Sequence, residues 1–263
     1  MDTRQQDKAL KVALDAAKKG GAITLKYFRR LKFVSIKEGA GLVSEADKES
    51  EAVITKIIHK AYPTHQVLGE EAGYSGSDRA AELWVVDPLD GTTNYVHGFP
   101  FYCVSIGLEV NGVVEVGVVY APLLKQIYTA IRGRGAFLNG KPIHVSGTDR
   151  IEDSLLATGF SYSRNEYLDQ ELRDFRLLAV KARGIRRAGS AALDMCMVAS
   201  GVYDGFWERQ LAPWDTAAGC LLVTEAGGVV TNFENDPFHF SMKSVLAANP
   251  NMHPLIQQTI QNK

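Results

Sequence analysis

The segment Trp84-Val85-Val86-Asp87-Pro88-Leu89-Asp90-Gly91-Thr92-Thr93-Asn94 carries an apolar run straight into two carboxylates, a glycine and two hydroxyls. Pro88 stiffens the turn between the carboxylates, and Gly91 lets backbone approach a ligand closely. Thr92 and Thr93 are N-cap types, and the free N–H groups at a helix start favour phosphate. Carboxylates beside such a cradle repel an anion unless cations intervene. The combination implies a divalent metal, and its hard-oxygen character points to Mg²⁺, which takes one or two carboxylates together with substrate phosphate oxygens.

Four further carboxylates extend the set. Glu70-Glu71 follow the short strand Val67-Leu68-Gly69, and Glu208 ends another strand. Asp215 opens a helix in Pro213-Trp214-Asp215-Thr216-Ala217-Ala218-Gly219, whose small residues let it approach another backbone and draw Asp215 inward. Taken singly, each also fits a plainer role: turn residues at Asp87 and Asp90, solvated surface at Glu70-Glu71 and Glu208, and a dipole-complementing helix end at Asp215.

The elements that must position these residues follow from periodicity. Leu10, Leu14, Ala17, Gly21, Leu25 and Phe28 predict a long N-terminal helix in which Gly20-Gly21 permits close packing. Ser44-x-x-Asp47 resembles a capping box and starts a second helix that ends before Pro63. Strands are expected over Leu83–Val86 and 101–110, with Asn111-Gly112 turning the latter into a hairpin with 113–120, extended by 126–130 and 135–138. Beyond residue 145, strands at 155–158, 205–208, 229–233 and 244–248 mix with helices at 166–183, 190–200, 214–226 and from Met252. Gly227-Gly228 fits a helix C-cap. This predicts a layered α/β or α+β fold in a single domain over 1–263, with a seam between subdomains of approximately 1–145 and 146–263.

Composition excludes several classes of function. With 29 Lys+Arg against 30 Asp+Glu, the net charge of −1 supplies no global field for nucleic acid or an acidic membrane. No run of 18 apolar residues occurs and the start lacks a secretory signal, so a soluble cytoplasmic protein is expected. Cys103, Cys196 and Cys220 form neither a CxxC pair nor a disulfide framework and read as reduced packing residues. The six histidines show no ligand spacing. Lys181, Arg183, Arg186 and Arg187 form a local basic cluster, read either as a solvated or dimer-facing run or as a contact for RNA or the transcription machinery.

Gly69-Glu70-Glu71, the Asp87–Asn94 segment, Gly98-Phe99-Pro100-Phe101 and Trp214–Gly219 together resemble the inositol monophosphatase family in order and spacing, over nearly the whole chain. The resemblance implies an αβαβα sandwich, a homodimer, lithium sensitivity and Mg²⁺-dependent hydrolysis of a small polyol phosphate, foremost inositol-1-phosphate, without a phosphoenzyme. Position by position, it implies that Glu70, Asp87, the Leu89 carbonyl, Asp90 and Asp215 hold two or three Mg²⁺. Glu70 and Thr92 would orient the attacking water, and Asp47 would hold Thr92 by a hydrogen bond. Asp90, Gly91 and Thr92 would meet the phosphate, while Gly189, Ser190, Ala191, Glu208 and Asp215 would line the polyol pocket. Lys37 matches a basic residue on a loop near the metals. Ahead of Asp47 the sequence departs from the family, with Gly41-Leu42-Val43-Ser44 where Asp-Leu-Val-Thr or Asp-Pro-Val-Thr is usual.

Competing readings keep the chemistry or change it. Fructose-1,6-bisphosphate or 3′-phosphoadenosine 5′-phosphate would use the same metals. A haloacid-dehalogenase-type phosphatase would use D-x-D-G-T, but here the carboxylates stand one residue further apart and two helices precede them. Some bacterial relatives associate with the transcription machinery, so a binding role through the basic cluster is a reading from another class.

Overall fold

Two helices come first. In the computed structural model, which describes residues 1–37, 41–77, 81–162 and 164–261, α1 (Thr3–Tyr27) and α2 (Glu45–Ala61) both begin at side-chain caps. The expected capping box forms: Ala46 N–H donates to Ser44 Oγ at 3.2 Å and Ser44 N–H to Asp47 Oδ2 at 2.8 Å. The buried face of α1 differs in part from the expected stripe. It includes Gln6, Ala9, Ala13, Ala16, Gly20 and Thr24 together with the expected Ala17 and Gly21, while Leu10 and Leu14 are half-buried beside it and Leu25 is exposed. A Cβ on Gly20 would stand 2.7 Å from Ile54 of α2, so small residues set how closely the helices pair. Between the helices, β1 (Val34–Lys37) and β2 (Gly41–Ser44) pair antiparallel, which alternation in the sequence does not signal.

The large sheet contains β3 (Gln66–Gly69), β4 (Gly73–Ser75), β5 (Glu82–Asp90), β6 (Cys103–Val110), β7 (Val113–Ala121), β8 (Gln126–Ile131), β9 (Ala136–Leu138) and β10 (Lys141–Ile143). Its order is β10-β9-β8-β7-β6-β5-β3-β4, antiparallel except for the β3–β5 pair. Asn111 and Gly112 both take positive φ, as the predicted β6–β7 hairpin requires. A short helix, α3 (Thr92–Val96), follows β5.

The second sheet has the order β12-β11-β13-β15-β14, from β11 (Leu155–Thr158), β12 (Gly184–Arg186), β13 (Gly205–Arg209), β14 (Val229–Thr231) and β15 (Ser244–Ala248). The interleaved helices are α4 (Arg164–Ala179), α5 (Ala191–Ala199), α6 (Pro213–Glu225) and α7 (Met252–Gln261). Expected to reach residue 183, α4 stops at Ala179, because residues 184–186 are committed to parallel pairing with β11. Helix α6 closes in a Schellman motif: Gly228 N–H donates to Val223 O at 2.9 Å and Gly227 N–H to Thr224 O at 3.0 Å, with Gly227 at φ 87°.

Five layers result. Helices α1 and α2 cover one face of the large sheet, α5 and α6 fill the space between the sheets, and α4 and α7 cover the far face of the smaller sheet. Close approach is needed at the middle layer. A Cβ on Gly107 would lie 3.0 Å from Ala217 Cβ, and one on Gly117 would lie 3.1 Å from Ala218 O, so glycines on β6 and β7 and alanines on α6 let helix and sheet touch.

Candidate active site

The parallel register of β3 and β5 places Gly69 opposite Val86, so the residues that follow, Glu70 and Asp87, come side by side where β3 ends. Glu70 N–H donates to Val86 O at 3.2 Å and continues that pairing by one residue. The strand expected to end at Val86 instead runs on to Asp90 through a bulge: Asp87 pairs with Ser105 and Asp90 with Cys103. In a regular strand, residues three apart point to opposite faces. The extra residue turns Asp90 to the same side as Asp87, and Pro88 is tolerated because it sits in the bulge.

Asp215 arrives from the third residue of α6, which Pro213 starts, and its Oδ2 accepts from Ala212 N–H at 2.7 Å. One carboxylate oxygen each from Asp87, Asp90 and Asp215 lies within 4.8 Å of the others. Glu70 lines the same cleft. Burial, followed by the charges of Glu70, Asp90 and Asp215, drives the Asp87 carboxyl well above the ordinary carboxylate range. Burial also raises Asp90, against the hydrogen bonds it accepts. A buried cluster of this sign is costly unless neutralised. Its all-oxygen, carboxylate-rich donor set fits a hard divalent cation, and Leu89 lines the same cleft.

The carboxylates are held from behind. Asp90 Oδ2 accepts from Ser190 Oγ at 2.6 Å and Ala192 N at 2.8 Å, with the Cys103 thiol at 3.8 Å. The N-terminus of α5 thereby fixes a residue of the large sheet, and the Ser190 hydroxyl is engaged with Asp90. Cys103, Cys196 and Cys220 are all buried free thiols. The Thr92 hydroxyl lies 3.1 Å from Asp47 Oδ1 and 3.0 Å from the Leu89 carbonyl. Asp47 accepts at its other oxygen from the Ser44 hydroxyl as well as the Ser44 N–H, so the side chain that caps α2 also reaches Thr92. The expected cap of α3 is corrected: Gly91, at φ 93°, occupies that position, and Thr92 lies inside the first turn. A Cβ on Gly91 would lie 3.0 Å from Phe101 O and 3.2 Å from Gly189 O, which explains the glycine.

A cleft enclosing about 630 Å³, part of it open to solvent, is lined by Glu70, Asp87, Leu89, Asp90, Gly91, Thr92, Gly189, Ser190, Ala191, Glu208 and Asp215. Every predicted site residue except Asp47 and Lys37 is on its wall, and Asp47 acts one bond behind it. Glu208 is half-buried against the backbone of Gly159, where any side chain would collide with its carboxylate. Burial first, and the charge of Asp215 second, raise the Glu208 carboxyl well above its ordinary range. The Lys37 side chain lies outside the described residues.

Sequence reasoning missed Leu42, Gly159, Phe160, Tyr162 and Leu211 on this wall. A glycine directly after strand β11 was the available signal for Gly159. The members of the basic cluster have different partners. Arg187 lines the cleft, Arg183 pairs with Asp153, Lys181 donates to Thr259 Oγ1 at 3.1 Å, and Arg186 donates to Ile185 O at 3.2 Å.

A sequence profile described as the inositol monophosphatase family matches residues 5–263. The chain belongs to the inositol monophosphatase family. It is 44% identical over 258 residues to a Pseudomonas aeruginosa protein named Nus factor SuhB, covering 96% of this chain and 95% of the relative. An inositol-1-monophosphatase from Synechocystis is 42% identical over 252 residues, covering 95% and 88%. The crystal structure of the extragenic suppressor protein suhB from Bartonella henselae superposes with a TM-score of 0.92 at 38% identity, covering 97% of this chain and 98% of the other. This inositol monophosphatase family member is a phosphatase with a mixed, layered α/β fold. Among the described residues, no helix is long and apolar enough to cross a membrane.

Proposed function

We propose that the protein hydrolyses the phosphate monoester of a small polyol, foremost inositol-1-phosphate, and that it needs Mg²⁺ to do so. The observation that carries this reading is the convergence of Asp87, Asp90 and Asp215 within 4.8 Å beside the Thr92–Asp47 pair. Glu70, Asp87, the Leu89 carbonyl, Asp90 and Asp215 would hold the metal, in two or three positions. Bound there, Mg²⁺ offsets the carboxylate charge and polarises phosphoryl and leaving-group oxygens.

The chain's own groups supply the rest. With its proton directed to Asp47 Oδ1, the Thr92 hydroxyl turns its lone pairs to the cleft and accepts a hydrogen bond from the attacking water. Glu70, on the cleft wall, takes that water's second proton, and the polyol oxygen takes a proton from solvent as its bond to phosphorus breaks. Backbone N–H groups of Gly91 and Thr92 meet the phosphate, for which the left-handed Gly91 shapes the turn. Glu208, with the 189–191 segment and Asp215, accepts from polyol hydroxyls. No side chain forms a phosphoenzyme in this scheme. The reading also carries lithium inhibition through a magnesium position, a cytoplasmic homodimer, and a single functional unit spanning 1–263.

Phosphate release from inositol-1-phosphate, fructose-1,6-bisphosphate and 3′-phosphoadenosine 5′-phosphate, each with and without Mg²⁺, tests the reading. Inositol-1-phosphate is expected to give the highest kcat/KM, and only with metal. Equal turnover without metal overturns the proposal, and preference for either bisphosphate reassigns the substrate. The name Nus factor borne by the Pseudomonas aeruginosa relative favours a second role in transcription. Pull-down of RNA polymerase at low ionic strength checks it, and absence of retention removes it.

A further inference from the structure

One face of α2 reaches every segment that carries the carboxylate cluster from the large-sheet side. Asp47, Ser50 and Glu51 stand at i, i+3 and i+4, and so share that face. Asp47 holds Thr92, as described. Ser50 Oγ donates to the carbonyl of Pro88 at 3.1 Å, inside the bulge between Asp87 and Asp90. Glu51 is 4% exposed and accepts from two consecutive backbone groups just beyond Glu70: Glu71 N–H at 2.8 Å to Oε2 and Ala72 N–H at 2.7 Å to Oε1.

We infer that Glu51, supported by Ser50, is a positioning residue for the metal cluster, holding the Glu70 turn and the Asp87–Asp90 bulge in register from a single rigid helix. The inference rests on the proposed metal-dependent function and adds residues that hold the ligands without touching the metal. Two charge-assisted bonds from one carboxylate fix the direction in which the chain leaves β3, and that direction aims Glu70. The packing is specific to this arrangement. A Cβ on Gly69 would lie 2.5 Å from Glu51 Cδ, so the strand end must be glycine for the carboxylate to sit behind it. Behind α2, a Cβ on Gly20 would lie 2.8 Å from Ser50 Oγ, so the close helix pair holds Ser50 against the bulge.

The test is Mn²⁺ binding without substrate, followed by calorimetry and by loss of the free-ion electron paramagnetic signal, in the full-length wild type, Glu51→Gln, Ser50→Ala and Ile54→Val. Glu51→Gln turns an NH₂ group toward one of the two donors and is expected to raise the Mn²⁺ Kd by about tenfold, the scale of outer-shell changes at metal sites. Ser50→Ala should raise it less. Ile54→Val trims the same helix in the core and should lower Tm while leaving Kd alone, which separates loss of stability from loss of positioning. An unchanged Kd in Glu51→Gln, or an equal rise in Ile54→Val, overturns the inference. If Glu51→Gln does not fold, an unchanged Kd in Ser50→Ala overturns it instead. Wild type that takes up no Mn²⁺ overturns the proposed function itself, a result distinct from all of these.

Discussion

Asp90 and Glu208 are both carboxylates on one cleft, and burial raises both, yet they are held in opposite ways. Asp90 is pinned by Ser190 Oγ, Ala192 N–H and the Cys103 thiol. Glu208 rests on the bare backbone of Gly159. The floor of the site, at the β5 bulge, spends its donors on fixing the carboxylates. The wall, at the end of β13, holds its carboxylate by no hydrogen bond among the described residues, with the Arg187 charge near it. A preorganised floor suits a cation with strict geometry, and an uncommitted wall suits a polyol, whose hydroxyls donate to carboxylates.

The largest expected effect is at the floor. Asp90→Asn removes one charge and turns an amide toward two donors, and should lower kcat by more than about 10³-fold while the protein stays folded. Steady-state kinetics with circular dichroism check this, and full Mg²⁺-dependent activity in the variant would count against the floor as metal site. Thr92→Val should cost roughly 10²-fold in kcat, since it removes a water-orienting hydroxyl. Because Thr92 is not a charged ligand, Mn²⁺ affinity should stay close to wild type.

At the wall, Glu208→Gln should raise KM for inositol-1-phosphate by about tenfold with a smaller change in kcat, because hydrogen bonds to charged groups contribute roughly 1.5–3 kcal/mol. The same variant should leave p-nitrophenyl phosphate, which lacks hydroxyls, nearly unaffected. Equal losses on the two substrates would erase the distinction between floor and wall.

The smallest effect is on stability. Without metal, the elevated Asp87 and Asp90 carboxyls bind protons more tightly when folded, so their contribution is full below the ordinary value of 3.8 and fades as pH rises through the folded values. Metal-free Tm should therefore fall from about pH 5 to about pH 8. Added Mg²⁺ competes with those protons and should raise Tm by more at the higher pH. Differential scanning calorimetry at both values checks the sign. Asp87→Asn should flatten the metal-free trend and remove most of the Mg²⁺ shift.

What the sequence made legible follows the same division. The floor is written contiguously: strand, Asp87, Pro88, Asp90, Gly91 and Thr92 lie within one short segment, and the Ser44–Asp47 signature marks the helix start that reaches Thr92. The bulge was not legible, because an apolar run does not reveal a register shift against Ser105 and Cys103. The wall is assembled from residues 159, 187, 189–191, 208 and 211, which meet only after β11 and β13 pair in parallel. Arg187 illustrates the cost. In sequence it stands in a basic run, whereas in the fold it lines the cleft while Lys181 and Arg183 are engaged elsewhere. The buried stripe of α1 was only partly legible: Ala17 and Gly21 lie on it as expected, but the close approach to α2 favours small residues such as Gly20, and Leu25 is left exposed.

A crystal grown with Mn²⁺ and measured at the manganese absorption edge tests the central claim most directly. Anomalous peaks between Asp87, Asp90 and Asp215, within bonding distance of their carboxylate oxygens, are the expected result. Manganese bound elsewhere in the crystal, with no peak among those three side chains, would contradict it.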